Sequence, residues 1–183
     1  MHGIDASGEY IPLEFIFMAQ RKRNETGTII EFYRFSKTAA DASPVGLKQY
    51  ETLHLTVITN KDLLAKIEKE AGAIFGKEDF HPLYGAPTLI LISSKQTMPH
   101  MANVMYSNAS IMSHNISLAA TELNIGSCYI WGATASISDN ETIIKELNLP
   151  DGFVPCCAVC LGKTNEIFEE REIPNRISKT FIK

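Results

Sequence analysis

The stretch LNIGSCYIWGA, residues 123–133, decides the fold, and it carries the chain's only tryptophan, Trp131, next to Gly132. Immediately upstream, residues 109–123 form the clearest helical pattern in the sequence. Met112, Ile116, Ala119 and Leu123 recur at helical spacing on one face, and the adjacent Ala119 and Ala120 let another element approach closely. Gly126 suits a helix stop, and residues 128–131 suit a short extended segment. An indole beside a glycine leaves two readings open. Either the ring fills a gap in the core or at an interface, or the backbone here lies against something flat, since glycine permits close approach to a ligand.

Outward from this stretch, residues 88–92, TLILI, are an apolar run of strand length, consistent with a central strand covered on both faces. Residues 53–58, LHLTVI, alternate and are rich in β-branched side chains, which reads as a second strand. Asn60 is placed to cap a helix over residues 61–71. Residues 82–87 read as a loop, and 97–108 as a polar, methionine-containing connection. Asp139 or Asn140 caps a helix over residues 141–147, residues 150–152 make a turn, and 154–161 form a third strand. Toward the N-terminus, residues 1–12 are a loose end and 14–23 a candidate helix broken at 24–27. Residues 29–42 read as a helix with Ile30, Tyr33 and Ala40 on one side. It stops at Ser43, because the residue before a proline disfavours helical backbone. Strands alternating with helices predict a layered domain, a compact α+β one rather than a doubly wound sheet.

At 183 residues, one domain over 1–183 is the default. Apolar content of 45% and charged content of 21% are ordinary for a globular protein. A net charge of −4 leaves no basic footprint, so nucleic acid is excluded as the expected partner. Apolar runs such as residues 86–92 fall far short of the roughly 20 residues that cross a membrane. Residues 10–18 are apolar, but the basic QRKR follows them, the reverse of a secretory signal. A cytoplasmic protein is therefore expected. The tail, residues 166–183, carries charge and, near its end, the apolar residues Ile177, Phe181 and Ile182. Such a segment is poorly suited to packing on itself and is expected to run along a partner.

The chain's four cysteines do not make a disulfide scaffold. Cys157 and Cys160 have CxxC spacing, which raises a metal or redox reading. On a strand, however, side chains alternate, so residues three apart point to opposite faces. No second CxxC or close histidine pair completes a zinc site. His54, His81, His100 and His114 form no constellation with a nucleophile. There is neither a GxGxxG nor a P-loop.

Three segments in this order resemble the FMN-dependent nitroreductase family. ASPVGLKQYETLHLTVI, residues 42–58, is similar to the family's turn-into-strand. YGAPTLILI, residues 84–92, is similar to its Y-x-A-P strand. The stretch from Asn108 to Trp131, through LAATELNIGSCYIW, is similar to its helix-and-loop pattern L-A-A-x-x-L-G-L-G-S-C-W-I-G. LPDGFVP, residues 149–155, and then Leu161 with Gly162 fit its closing segment. The resemblance covers residues 40–165.

The resemblance implies a nitroreductase-like fold: α+β, a central mixed sheet flanked by helices, in an interlocked homodimer with an exchanged C-terminal arm. It implies FMN, hydride from NAD(P)H, and small-molecule acceptors such as nitroaromatics, quinones or flavins, in a ping-pong cycle. The cofactor carries the chemistry, so no catalytic side chain is named. Stacking on the flavin would bind nicotinamide without a dinucleotide fingerprint. By position, the backbone of Tyr129, Ile130, Trp131 and Gly132 would border the flavin near its N5. Ser43, Pro44 and Val45 match the turn that reaches the flavin across the dimer. Lys48 or Gln49 falls where a donor or cation would stabilise negative charge on the reduced ring.

Two departures stand out. The family's N-terminal R-R-S-x-R phosphate motif is represented only by QRKR, residues 20–23, without the serine and closer to Ser43. Arginine forks suit phosphate, which leaves Arg21 and Arg23 as candidates, with Arg171 and Arg176 near the C-terminus. The aromatic residue of the turn is also replaced, by Thr52 and Leu53. The altered motif supports an alternative, an FMN-binding protein of the same fold with little turnover.

Overall fold

The computed structural model describes residues 3–4, 10–11, 37–77, 80–165 and 176–182. Strands β1 (Gly3–Ile4) and β2 (Tyr10–Ile11) form a short antiparallel ladder. The helix expected over residues 14–23 lies outside the described residues, as does most of the one over 29–42, of which 37–41 are helical.

A four-stranded sheet organises the rest. Its strands are β3 (Leu53–Ile58), β4 (Thr88–Ser94), β5 (Ile125–Tyr129) and β6 (Val154–Lys163), in the order β3-β4-β6-β5. Every neighbouring pair is antiparallel. This corrects the expectation of a mixed sheet, and the connectivity gives the reason. The long helix α2 (Ala102–Glu122) links β4 to β5, which run in the same direction, as strands joined by a helical crossover do. β6 then inserts between them in the opposite direction, so no parallel pair becomes adjacent.

Alternation of side chains along β4 and β6 divides the core in two. Ile90, Ile92, Cys157, Val159 and Leu161 face α2, where Met105, Ala109, Met112 and Ile116 pack on them. Leu89, Leu91, Ala158 and Cys160 face the opposite layer. That layer holds α1 (Lys61–Phe75), α3 (Trp131–Ser138) and α4 (Glu141–Leu147), through Leu64, Ile67, Ala133, Ile137, Ile143 and Leu147. β4 is buried along its whole length, as its unbroken apolar run predicts. Each fully buried aliphatic side chain contributes roughly 1.5–3 kcal/mol relative to exposure.

The caps act as their sequences require. Asn60 accepts from the N–H groups of Asp62 and Leu63 to start α1, which ends at Gly76 in the left-handed region (φ 62°). Asn140 does the same for Thr142 and Ile143 at α4, which ends at left-handed Asn148. Lys66 and Glu146 pair α1 with α4. The buried Ser136 Oγ on α3 donates to the Ile67 carbonyl of α1.

α1, β4 and β6 run past their expected ends, to Phe75, Ser94 and Lys163, and three further boundaries differ from expectation. α2 begins at Ala102, so residues 102–108 are helix rather than connection, because Met105 and Asn108 are buried on the same side as Met112. α2 is ended by Leu123 and left-handed Asn124 (φ 56°). Gly126 is therefore no stop: it lies within β5, where a Cβ would press on Thr164 and the Gly162 carbonyl. Trp131 opens a helix instead of ending an extended segment. Among the described residues, no helix is long and apolar enough to cross a membrane.

Candidate functional site

The turn at residues 43–49 is backbone under strain. Leu47 and Lys48 are consecutive left-handed residues, with φ of 61° and 55°. This conformation costs a residue with a Cβ roughly 1–2 kcal/mol, and both side chains are exposed, Leu47 to 62%. The turn is held from behind. Ser43, buried to 1% exposure, donates from Oγ to the Ala39 carbonyl (3.0 Å) and accepts from Asn115 Nδ2 (3.0 Å). The Gly46 N–H donates to Asn108 Oδ1 at 2.9 Å. Val45 is buried, while Pro44 is exposed. Gln49 is half-buried; its Oε1 accepts from Thr97 Oγ1 (3.0 Å) and its carbonyl from Thr52 Oγ1 (2.7 Å).

The second segment is the junction of β5 with α3. Tyr129 ends the strand, and its hydroxyl meets His114 Nδ1 at 2.8 Å. Ile130 is core: its side chain is 3% exposed, and its N–H donates to the Ala158 carbonyl at 2.9 Å. That N–H is therefore committed to β6. Trp131 and Gly132 begin α3, whose N-cap Ile130 supplies no side-chain cap. The N–H groups of a helix's first turn have no acceptor within the helix. Trp131 is 67% exposed, which removes the reading of its ring as core filler within this chain. The tight approach at Gly132 comes from inside the fold: a Cβ there would stand 3.3 Å from both Phe75 and Phe80.

α2 connects the two segments. Neighbouring residues of this helix reach one each, His114 to Tyr129 and Asn115 to Ser43. Beside the turn, Gln49, Thr52, Met98, Met101, Met105 and Asn108 line part of an open hollow of ≈ 270 Å³, counting the space open to solvent.

Arg21, Arg23 and Arg171 lie outside the described residues. Arg176 is described and exposed, on a tail whose Ile177, Phe181 and Ile182 are 77%, 84% and 95% exposed. Cys157 and Cys160 fall in opposite halves of the core, as alternation predicts. Burial pushes the Cys156, Cys157 and Cys160 thiols up to about 11, so none is a ready thiolate. Among the described residues, no group of three or more histidine, cysteine, aspartate or glutamate side chains gathers to hold a metal.

A model of the Nitroreductase family matches residues 12–163. The chain belongs to that family. Its fold is shared with a nitroreductase with bound FMN from Desulfitobacterium hafniense (TM-score 0.71, 23% identity, 87% of this chain and 90% of that one). It is shared also with a nitroreductase with bound FMN from Bacteroides fragilis (TM-score 0.68, 21% identity, 93% and 99%). A Methanothermobacter thermautotrophicus protein provisionally named NADH dehydrogenase/NAD(P)H nitroreductase is 27% identical over 132 residues, 68% of this chain. The chain spans 62% of the length of that curated relative.

Within the Nitroreductase fold, both expected segments are formed and tied to one helix. Asn108, Asn115 and His114, which tie them, went unassigned in the sequence. Their one visible signal was polarity along α2, where Asn108 interrupts a buried face.

Proposed function

We propose that this chain is an FMN-dependent oxidoreductase that takes hydride from NAD(P)H and passes electrons to a nitroaromatic, quinone or similar acceptor in a ping-pong cycle. It acts in the cytoplasm as a homodimer of single-domain chains, each reaching across the other with its C-terminal arm. Family membership over residues 12–163, which include both site segments, carries this reading.

The residues present fit the cofactor. The first-turn N–H groups of Trp131 and Gly132 are donors for the flavin edge near N5, and Ile130, already bonded to Ala158, drops out of that role. The strained turn presents Lys48 outward, where an ammonium would favour negative charge on the ring. Strain held at an exposed turn is typical of ligand clamps. Ser43 supports this turn through its hydroxyl, which is engaged by Ala39 and Asn115. The hollow beside Gln49 is open to solvent. That agrees with a site completed by a second copy. The exposed apolar tail residues supply surface for such an exchange.

When bound, FMN supplies the hydride and electron transfer. The chain's share is to hold the ring edge, orient it and bias its charge. Arg21, Arg23, Arg171 and Arg176 are the proposed phosphate contacts.

The test is purification, a visible spectrum, and mass spectrometry of the released chromophore, followed by NADH and NADPH oxidation with quinone and nitro acceptors. FMN with turnover supports the reading. FMN without turnover selects the alternative of a binding protein. A colourless protein that refuses added FMN overturns both.

A further inference from the structure

Two of the asparagines of α2, Asn108 and Asn115, stand two helical turns apart, and each bonds to the turn that precedes β3. Asn108 accepts from the Gly46 N–H at 2.9 Å, and Asn115 donates to Ser43 Oγ at 3.0 Å. Asn108 is 5% exposed, in line with the buried Met105 and Met112. An apolar side chain would pack there without needing a partner, whereas a buried amide must be bonded. The fit is close as well: a Cβ on Gly46 would lie 3.3 Å from Asn108 Oδ1. Immediately beyond these two anchors come left-handed Leu47 and Lys48, both exposed. Such backbone persists only where its surroundings impose it, and here the strain falls on residues pointed away from the core.

We propose that Asn108 and Asn115 are positioning residues for the flavin: a two-point clamp that fixes Gly46 and Ser43 and so holds Leu47 and Lys48 in the presenting conformation. This rests on the FMN reading above. Without the clamp the turn relaxes to ordinary backbone, and binding must then restore the strained form. The apparent affinity falls by the fraction of chains still competent.

The full-length protein is titrated with FMN, following loss of free-flavin fluorescence, with thermal melting run alongside. Asn108→Leu removes the acceptor and Asn115→Leu the donor. Each is expected to weaken FMN binding by roughly tenfold, the order of one lost hydrogen bond, while the protein still melts cooperatively. Leu47→Gly, added to either variant, is expected to recover much of the loss, because glycine adopts positive φ without penalty. A role confined to helix packing would not respond to a change at Leu47. If Asn108→Leu fails to fold, the half-buried Asn115 with its Leu47→Gly partner decides the matter. Wild-type affinity in the asparagine variants, or no recovery with Leu47→Gly, overturns the clamp and leaves the FMN reading standing. A wild-type protein that binds no FMN overturns both.

Discussion

The ring of Phe80 stands 3.3 Å from where a Cβ on Gly132 would lie, and Phe75 stands equally close. The two rings meet edge to face, 5.1 Å between centroids, and close over the first turn of α3. Glycine here makes room for the chain's own aromatic pair. Gly132→Ala gains about 0.5–1 kcal/mol of helix propensity and must displace two ring edges by a few tenths of an ångström. Thermal melting is expected to place it within ~1 kcal/mol of wild type. Gly132→Val overfills the same space and is expected to cost about 1–3 kcal/mol. A valine variant as stable as wild type would show that the rings give way freely.

That contact marks where the sequence stopped being legible. β3, β4, β6, α1 and α4 were readable, because their patterns are strong and Asn60 and Asn140 announce the helix starts. α3 was not. Its sequence, WGATASIS, has no apolar stripe, since small residues let it pack close on several sides. Ala133, Thr134, Ser136 and Ile137 are all buried. The sense of the sheet was hidden for another reason: it depends on β6 entering between β4 and β5, a long-range choice that no local pattern records.

The four thiols divide sharply. Cys128 is exposed, whereas Cys156, Cys157 and Cys160 are buried and held neutral, with pKa values pushed to about 11 from an ordinary 9.0. In the unfolded chain these groups ionise near 9, so folding is favoured by them fully below that pH. The advantage is lost as pH rises toward 11, where the folded thiols ionise too. Denaturant melts are expected to show stability falling between pH 9 and 11, and less so in Cys157→Ala. At neutral pH, one thiol should react quickly with an aromatic disulfide reagent, and all four only after unfolding. Rapid labelling of more than one thiol in the native protein would contradict the burial.

Tyr129 and His114 tie the end of β5 to α2 at 2.8 Å. Tyr129→Phe keeps the ring and deletes only the hydroxyl. The bond is partly exposed, so the expected loss is ~0.5–1.5 kcal/mol. His114→Phe should cost a similar amount, and the double variant no more than either single one, because one interaction is being removed twice. Additive losses in the double-mutant cycle would show that the two groups do not act on each other.

In the candidate site, the turn at 43–49 and the junction of β5 with α3 are both formed, but the bonds that hold them were not legible in the sequence. Ser43 donates its hydroxyl to Ala39 and accepts from Asn115. Ile130 likewise spends its N–H on Ala158. Such engagements depend on partners up to 72 residues away along the chain, beyond the reach of a local motif.

Lys48 is the side chain for which the proposed chemistry makes the sharpest demand. It sits on the strained turn, exposed. A cation beside the ring favours the reduced, negatively charged form, so its removal should lower the flavin's reduction potential and a carboxylate should lower it further. The expected order is wild type, Lys48→Ala, Lys48→Glu, read by spectroscopic titration against a reference dye. The rate of flavin reduction by NAD(P)H should fall in the same order, on the order of tenfold for Lys48→Glu. That is less than the ~100-fold or more lost with an enclosed donor, because solvent screens an exposed charge. Raising the salt concentration should shrink the spread between the three proteins. Equal potentials in all three at low salt would remove Lys48 from the site and leave Gln49 as the polar group facing the ring.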